Sequence, residues 1–393
     1  MKEVVIVAYG RSAIGKAPRG LLKYTRPDDL AAQVVKGVLA KVPQLNPEEI
    51  EDLILGCAFP EAEQGLNMAR NVAFRAGLSN KVCGQTVNRY CSSGLQSIAS
   101  AANSIMVGQG DVILAGGVES MSIVPMFGNI LTPNPYLTEN QQGTAVNMGI
   151  SAENVAEQYN VSREAQDKFA LESHKRAAQA QIEGKFDEDI IPVEAIRATV
   201  DQSGMIISDT FIFDKDEGVR DNLTMENLTK LRTVFKKNGT VTAGNASQMS
   251  DGAAFVLLMS REKADALGIK PLAIFKSYAV AGVAPEIMGI GPIEAIPKVL
   301  KRAGLKEEDI DRYELNEAFA SQAIACINEL DIDPKKVNPN GGAIALGHPL
   351  GCTGSFLTIK LLSEMRRRNE KIGVVSMCIG GGMGAAGIFE LVK

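Results

Sequence analysis

Two cysteines and one histidine of this chain have side chains suited to covalent chemistry, and glycines lie close to each of them. The three motifs are Asn88–Gly94 around Cys91, Gly347–Gly351 around His348 and Cys378–Gly382. A thiol attacks a carbonyl carbon only as the thiolate, and a nearby imidazole is the usual base that generates it. Glycines let a reacting group and its substrate approach the backbone closely. The combination predicts an enzyme that uses cysteine chemistry.

Cys91 lies where a predicted strand passes into a helix. The apolar residues that follow it at helical spacing mark the buried face of that helix: Leu95, Ile98, Ala102 and Ile105. At a helix N-terminus the backbone dipoles favour a thiolate, and free N–H groups can hold an oxyanion. The alternative interpretation of Cys91 is a small buried core residue, which is the commonest fate of a free cysteine.

His348 is one of only two histidines, and its place between Gly347 and Pro349 indicates a loop residue that is held in position. The ordinary pKa of histidine suits general-base work near neutral pH. The other histidine, His174, falls within a polar helical segment, so we predict that it lies at the surface. Cys378 ends an apolar strand, and the glycines after it predict either an anion-binding nest or a tight turn between two core strands.

Two thiols and one imidazole, with the polar segment Asn316–Phe319, suit carbon–carbon bond cleavage or formation next to a thioester. One thiol would carry an acyl group, and the other would move a proton at the carbon beside a carbonyl. The remaining cysteines are interpreted as structural: Cys57, Cys83, Cys326 and Cys352. No Cys-x-x-Cys pair occurs in the sequence, so no metal site is predicted.

The elements that must position these residues recur along the chain. The segment Pro47–Gly56 is similar to Lys306–Asn316, and each follows apolar residues at helical spacing. The Val-Asn pairs at 87–88 and 337–338 then each begin a strand end, a glycine-containing turn and a helix. We therefore predict two similar α/β halves related by duplication; the alternative is coincidence, since helix-then-strand units are common.

Residues 121–248 differ in character from the segments on either side, being rich in Asn, Gln, Thr and charged residues. One helix is predicted from Ser162 to Ile182, with Ser162 as its N-cap. A long insertion within a compact fold is usually functional. Its later basic residues form either a solvated face or a lid that recognises an anion: Arg220, Lys230, Arg232, Lys236 and Lys237.

The composition of the chain limits its class. Its 393 residues are 45% hydrophobic and include 38 glycines, which is typical of packed α/β layers. The net charge of −5 gives no support for nucleic-acid binding. Six cysteines without regular spacing indicate a reducing compartment, and no segment reaches membrane-spanning length. With no peroxisomal address at its end, we predict a cytoplasmic protein without membrane insertion.

Four motifs, in their order along the chain, resemble the four signatures of the thiolase family. They are Asn88–Gly94, Asn316–Phe319, Gly347–Gly351 and Cys378–Gly382. Two further segments, Val241–Ser247 and Asp251–Ala254, resemble the part of that fold that re-enters the core. The resemblance thus covers essentially the whole chain.

The resemblance implies an α/β fold, a layered αβαβα sandwich of two duplicated, mixed five-stranded halves with an inserted loop domain. The implied N-terminal half is residues 1–120 plus 249–269, and the C-terminal half is residues 270–393. Residues 121–248 would form the loop domain, which binds coenzyme A. The family usually assembles as a homotetramer, a dimer of dimers.

The resemblance also implies a ping-pong acyl transfer. Cys91, deprotonated with help from His348, attacks the keto carbon of a 3-ketoacyl-CoA, and Cys378 protonates the departing acetyl-CoA carbanion. His348 and a water held by Asn316 would form one oxyanion site, and the backbone N–H groups of Cys91 and Gly380 would form the other. Coenzyme A and acyl-CoA are then substrates, with no permanently bound cofactor and no metal.

Six further residues are implied as contacts of coenzyme A. Arg220 and Ser247 match family positions that touch the coenzyme. The positions that match the pantetheine channel are Phe235, Ala243, Met288 and Phe319.

Two subtypes fit these motifs. Acetoacetyl-specific members commonly have His-Met before the glycine that aligns with Gly149, where this chain has Asn147-Met148. The segments Pro60–Gly65 and Asn88–Tyr90 resemble the degradative 3-ketoacyl-CoA thiolases (acetyl-CoA C-acyltransferases) of fatty-acid β-oxidation. We therefore favour that subtype; the alternative is an acetoacetyl-CoA thiolase (acetyl-CoA C-acetyltransferase) that condenses two acetyl-CoA molecules.

Two other classes compete with a thiolase. The related condensing synthases replace the second cysteine with another catalytic device, so Cys378 argues against them. A non-catalytic acyl-CoA or lipid carrier on the same fold has no need of all three reactive side chains.

Overall fold

The computed structural model describes residues 1–200 and 203–392. The elements before residue 121 are β1 (Val4–Arg11), β2 (Gly15–Lys16), α1 (Pro27–Ala40), β3 (Asp52–Gly56), α2 (Met68–Arg75), β4 (Cys83–Val87), α3 (Ser93–Met106) and β5 (Val112–Ser120). Those between residues 121 and 248 are α4 (Pro135–Asn140), α5 (Met148–Gln158), α6 (Arg163–Ile182), β6 (Val193–Val200), β7 (Ile206–Phe213) and α7 (Met225–Thr229). Those that follow are β8 (Ser250–Ser260), α8 (Arg261–Ala266), β9 (Ala273–Gly282), α9 (Gly291–Ala303), β10 (Arg312–Leu315), α10 (Ala320–Glu329), α11 (Ala343–Leu346), α12 (Leu350–Arg368), β11 (Ile372–Ile379) and β12 (Met383–Leu391).

One mixed sheet of ten strands runs through the molecule in the order β10-β11-β12-β9-β1-β8-β5-β3-β4, with the short β2 beside β8. In one half-sheet β3 is parallel to β4 and β5, whereas β8 is antiparallel to β5 and β1. In the other, β10 is parallel to β11, and β12 is antiparallel to β11 and β9. The residue pairs Val5–Ile274 and Ile6–Ala273 join β1 to β9, so the two half-sheets meet at a narrow seam.

Both half-sheets are built in the same chain order. The series β1, α1, β3, α2, β4, α3, β5, β8 is matched by β9, α9, β10, α10, a bridge at Val337, α12, β11, β12. The strands also take the same order and directions in both sheets. The predicted fold class, a layered α/β sandwich of two duplicated halves, is therefore confirmed.

The fifth strand of the second half is reduced to one parallel bridge, between Val337 and β10. Pro334 and Pro339 flank this position and have no N–H group to extend a ladder. The side chain of Asn338 takes over the pairing, since it accepts from the Leu315 N–H at 2.9 Å and donates to the Leu315 carbonyl at 2.7 Å. The implied five-stranded second half is thus four strands and this bridge.

Helices α3 and α12 lie between the two half-sheets, whereas α1 and α2 cover the outer face of the first and α9 and α10 that of the second. The predicted apolar face of α3 is fully buried in the central layer, through Leu95, Ile98, Ala102 and Ile105. Gly94 lets the two central helices approach closely, because a Cβ atom there would lie 2.7 Å from the Ser355 nitrogen. This crossing matters for the site because α3 begins two residues after Cys91 and α12 begins two residues after His348.

Helix α6 confirms the predicted helix and its cap, since the Ser162 hydroxyl accepts from the Ala165 N–H at 3.1 Å. The predicted surface position of His174 is wrong. Its side chain is 3% exposed, and Nδ1 accepts from the Arg220 N–H at 3.1 Å. Helix α6 packs against α10 and α11, and the buried face of α6 carries many polar residues. Hydrophobic periodicity therefore could not reveal which side faces inward.

Helices long and apolar enough to cross a bilayer do not occur within residues 1–200 and 203–392. The same ranges contain no group of three or more His, Cys, Asp or Glu side chains arranged to hold a metal ion.

Candidate active site

A cavity of about 550 Å³ lies beside the N-termini of the two central helices, α3 and α12. The three reactive side chains singled out from the sequence all line it: Cys91, His348 and Cys378. The six residues implied as coenzyme A contacts line it too: Arg220, Phe235, Ala243, Ser247, Met288 and Phe319. Segments far apart in the sequence therefore converge on one space that can hold a substrate.

Cys91 lies in the short turn Tyr90–Ser92 that leads into α3, and it is 4% exposed. Tyr90 adopts a φ of 44°, a region that non-glycine residues seldom occupy, so the surrounding contacts hold a strained turn at this position. Burial raises the pKa of the Cys91 thiol to about 11, although the backbone N–H groups of Gly380 and of Cys91 itself oppose that shift. The backbone N–H groups thus favour the thiolate as expected, but burial outweighs them and the thiol is neutral at neutral pH.

His348 is held by contacts on both ring nitrogens. Nδ1 lies 2.6 Å from the hydroxyl of Thr353, which itself donates to the Pro349 carbonyl at 3.1 Å. Nδ1 must therefore carry a proton and donate, which leaves the lone pair on Nε2. Burial lowers the pKa of His348 to about 4, so the ring is neutral at neutral pH and Nε2 can accept a proton. The near-neutral pKa expected from the sequence is wrong because no acid offsets the burial.

Asn316 follows β10 and is fully buried beside the His348 ring, and it is not among the residues that line the cavity. Its amide Nδ2 is 3.3 Å from His348 Nε2, and its backbone N–H donates to the Ser376 carbonyl at 2.9 Å. Its Oδ1 is buried and has no hydrogen-bond partner among the described residues. A buried amide oxygen in this state has capacity to accept a hydrogen bond from a water or a ligand.

Cys378 is fully buried at the end of β11, where it packs against Met288 and Ala318. Burial raises the pKa of the Cys378 thiol well above its usual value, and the nearby Cys91 raises it further. The glycines after it form the predicted tight turn into β12, with Gly381 and Gly382 at φ of 84° and 83°. Gly380, the first of them, is also the residue whose N–H reaches the Cys91 sulfur.

Glu119 is a buried acid that joins the motifs of the site and that sequence reasoning missed. Its carboxylate accepts from the backbone N–H groups of Ala58 and Gly351 and from Gln64 Nε2, each at 2.8 Å. It thereby fixes the start of α12, and with it the histidine loop, against the turn after β3. A single acid at the end of a strand gives no sequence signal for this role.

Methionines form much of the cavity wall: Met121, Met126, Met148, Met249 and Met288. Next to Cys91, the apolar surface comes from Ala58, Met121 and Leu350. Methionine side chains are flexible and adapt to ligands of different shape. The surface beside the Cys91 sulfur therefore suits an apolar chain. Of these five methionines, the sequence predicted only Met288 as part of the wall.

Known proteins are similar to this chain in sequence and in fold. The family model described as thiolase, N-terminal domain, matches residues 4–262, and that described as thiolase, C-terminal domain, matches residues 269–391. A 3-ketoacyl-CoA thiolase of Bacillus subtilis (strain 168) is 59% identical over 391 residues, which is 100% of both chains. A peroxisomal 3-ketoacyl-CoA thiolase of Homo sapiens is 49% identical over 99% of this chain and 91% of its own. The crystal structure of the Bacillus anthracis acetyl-CoA acetyltransferase superposes with a TM-score of 0.90 at 41% identity, covering 100% of this chain and 99% of that one.

Proposed function

Because the chain belongs to the thiolase family, we propose that it is an acyltransferase that cleaves 3-ketoacyl-CoA with coenzyme A, giving acetyl-CoA and a shortened acyl-CoA. The observation that carries the proposal is the convergence of Cys91, His348 and Cys378 on one cavity. The 3-ketoacyl-CoA thiolases at 59% and 49% identity support the degradative subtype used in β-oxidation.

The first half-reaction transfers the acyl group to Cys91. His348 Nε2 takes the thiol proton of Cys91 as the sulfur attacks the keto carbon. Cys91 and His348 are thus both neutral until the substrate is attacked. The bond between the keto carbon and the adjacent methylene then breaks, and its electron pair passes to the acetyl-CoA fragment. Cys378 gives that carbon a proton, which releases acetyl-CoA and leaves an acyl group on Cys91.

The second half-reaction regenerates the enzyme. Cys378, now a thiolate, takes the proton of an incoming coenzyme A thiol, whose sulfur attacks the acyl carbon on Cys91. As the bond to Cys91 breaks, His348 returns its proton to that sulfur. Every proton is thus restored, and the acyl group leaves as acyl-CoA.

Two sets of donors would stabilise the oxygens that gain charge. The N–H groups of Cys91 and Gly380 point at the attacking sulfur, so they suit the oxygen on the carbon that this sulfur binds. Protonated His348 and a water held by Asn316 suit the oxygen of the departing acetyl-CoA enolate. The unpaired Oδ1 of Asn316 supports the second site, because it can accept a hydrogen bond from that water.

The other residues of the cavity wall suit the binding of coenzyme A. Arg220 is exposed at the cavity rim and suits a phosphate group, and Ser247 offers a hydroxyl deeper along the wall. The pantetheine arm would pass Phe235, Ala243 and the pair Met288 and Phe319 to reach the thiols. Phe235 and Phe319 meet edge to face with ring centres 6.2 Å apart, which gives that channel a firm apolar side.

The direct test is loss of the magnesium–acetoacetyl-CoA enolate absorbance on addition of coenzyme A, repeated with 3-ketoacyl-CoAs of increasing chain length. Turnover that continues or rises with longer chains is the expected result. Turnover of acetoacetyl-CoA alone would favour an acetoacetyl-CoA thiolase. The similarity to an acetyl-CoA acetyltransferase supports this alternative. Tight binding of 3-ketoacyl-CoA without turnover at any acyl chain length would favour the non-catalytic acyl-CoA or lipid carrier.

Three finer points belong to the same proposal. We propose a cytoplasmic enzyme, because all six cysteines are free thiols, the state that a reducing compartment maintains. We propose a homotetramer on the family resemblance, which light scattering on the purified protein would test. We also propose domains at residues 1–120 plus 249–269, 121–248 and 270–393, and limited proteolysis would test these boundaries. The two family models change over between residues 262 and 269, which supports the last of them.

A further inference from the structure

We propose that Lys16 is a second phosphate-binding residue of the cavity and acts with Arg220 on the phosphate groups of coenzyme A. This inference rests on the proposed function, since it names a further contact for the same substrate. Neither the sequence motifs nor the family resemblance singled out Lys16.

Lys16 and Arg220 are both part of the cavity wall. Neither side chain takes part in an ion pair within the described part of the chain, although many other lysines and arginines there have acidic partners. In a chain with 46 acidic and 41 basic residues, two unpaired cations in one wall are a local departure from the overall charge. Unpaired cations attract an anionic ligand more strongly in a cavity wall than on an open, solvated surface.

His174 shows that the two cations act on the same region. Burial, together with the positive charges of Arg220 and Lys16, lowers the pKa of His174 to about 4. Both cations therefore lie within electrostatic range of this one buried ring. Since the ring is neutral at neutral pH, it adds no charge of its own to this region, and its Nδ1 anchors the Arg220 backbone.

The two cations also have backbones that are fixed relative to one another. The segment 216–220 leads to Arg220, and its Asp216 carboxylate accepts from the Ile14 N–H at 2.8 Å. The Glu217 carboxylate accepts from the Lys16 N–H at 2.9 Å, and it forms no ion pair with the Lys16 ammonium. Residues whose backbones are held in place before binding lose less freedom when the ligand arrives.

The chemistry of the ligand matches this arrangement. Coenzyme A carries a diphosphate and a separate 3′-phosphate, so a single arginine cannot meet every charge. Lysine binds phosphate as a point charge, whereas arginine binds it through two parallel N–H groups. The apolar channel beyond them takes the uncharged pantetheine arm.

The experiment compares Lys16→Gln, Lys16→Arg and a control, Lys23→Gln, with the native protein. Lys23 lies over the Tyr24 ring at 4.8 Å and is not part of the cavity wall. The acyl acceptor is either coenzyme A or pantetheine, which has the same thiol without the phosphates. Loss of a charged contact predicts that Lys16→Gln raises the KM for coenzyme A about 10-fold with kcat nearly unchanged. The KM of Lys16→Arg and of Lys23→Gln for coenzyme A should stay close to that of the native protein. The KM for pantetheine should be the same for all four proteins.

Dephospho-coenzyme A identifies the phosphate involved. If the effect of Lys16→Gln disappears with this acceptor, Lys16 contacts the 3′-phosphate; if it persists, the contact is the diphosphate. An unchanged KM for coenzyme A in Lys16→Gln, or an equal rise with pantetheine, would overturn the assignment while leaving the thiolase function intact. Should the native protein turn over no thioester, the function fails instead, and calorimetric affinities for coenzyme A decide the Lys16 question by the same comparison.

Discussion

Nδ1 of His348 lies 2.6 Å from the hydroxyl oxygen of Thr353, and this contact fixes the tautomer of the ring in the cavity. The Thr353 hydroxyl proton is already donated to the Pro349 carbonyl, so the imidazole must be the donor between the two. Nε2 is therefore left as the acceptor, on the side of Asn316. A neutral ring whose Nε2 carries no proton is the form that can take a proton from a thiol.

Replacing Thr353 by Val should lower kcat without much change in KM. The variant keeps the shape of the side chain but removes the acceptor for Nδ1–H, so the ring is free to adopt the other tautomer. By analogy with outer contacts of metal-bound histidines, the loss in kcat should be about 10- to 100-fold. Thr353→Ser should restore most of the rate, and steady-state kinetics on acetoacetyl-CoA would measure both.

The matched control for that variant lies farther along the same helix. The Thr358 hydroxyl donates to the Gly354 carbonyl at 2.8 Å, and Thr358 is not among the residues that line the cavity. Thr358→Val should thus leave kcat near native. Equal rates for native and Thr353→Val would mean that the hydroxyl does not position the ring.

Cys91→Ala should abolish formation of the acyl-enzyme. The backbone N–H groups of Gly380 and of Cys91 itself stabilise the thiolate of Cys91, which lines the cavity. Intact-protein mass after incubation with acetoacetyl-CoA should show no added acyl group. Cys83→Ala, which removes an exposed thiol outside the cavity, should acylate like the native protein. An acyl adduct on Cys91→Ala would refute the nucleophile assignment.

Cys378→Ala should stop carbon–carbon cleavage and still allow some acyl exchange at Cys91. Cys378 packs against Met288 and Ala318, whereas Cys91 packs against Ala58 and Leu350. Its loss therefore removes the proton donor without removing the acyl carrier. Exchange of labelled coenzyme A into an acyl-CoA would measure the surviving step, and normal thiolysis by this variant would contradict the proton role.

Local sequence was enough to predict the three motifs. Each reactive residue lies within a few residues of the glycines that shape its turn, so the backbone geometry around Cys91, His348 and Cys378 is encoded within a short segment. The duplicated order of strands and helices was also readable, because apolar spacing marks each element. Their convergence on one cavity followed from the family resemblance, and the structure reproduces it.

Contacts between distant segments could not be predicted in this way. Lys16 and Arg220 belong to segments far apart in the chain, and no pattern in either one indicates the other. Glu119 and His174 are polar residues on buried faces, where hydrophobic periodicity carries no information. Burial also lowered the pKa of His348 below the near-neutral value expected from the sequence, since the cost of charging a desolvated ring depends on packing that the sequence does not show.

Replacing His174 by Asn should flatten the pH dependence of stability. Burial and the nearby cations lower the pKa of His174 from 6.5 to about 4 in the folded protein, so below pH 6.5 the unfolded chain takes up a proton that the folded chain refuses. The free energy of unfolding therefore falls as the pH drops from 6.5 towards 4. Asn does not titrate, and its side-chain oxygen can still accept from the Arg220 N–H.

Between neutral pH and a pH of about 5, the native protein should lose about 2 kcal/mol more stability than the variant. Urea unfolding at several pH values would measure this difference, because the other titrating groups are common to both proteins and cancel. Parallel stability curves for the two proteins would show that the ring is not kept neutral by the fold.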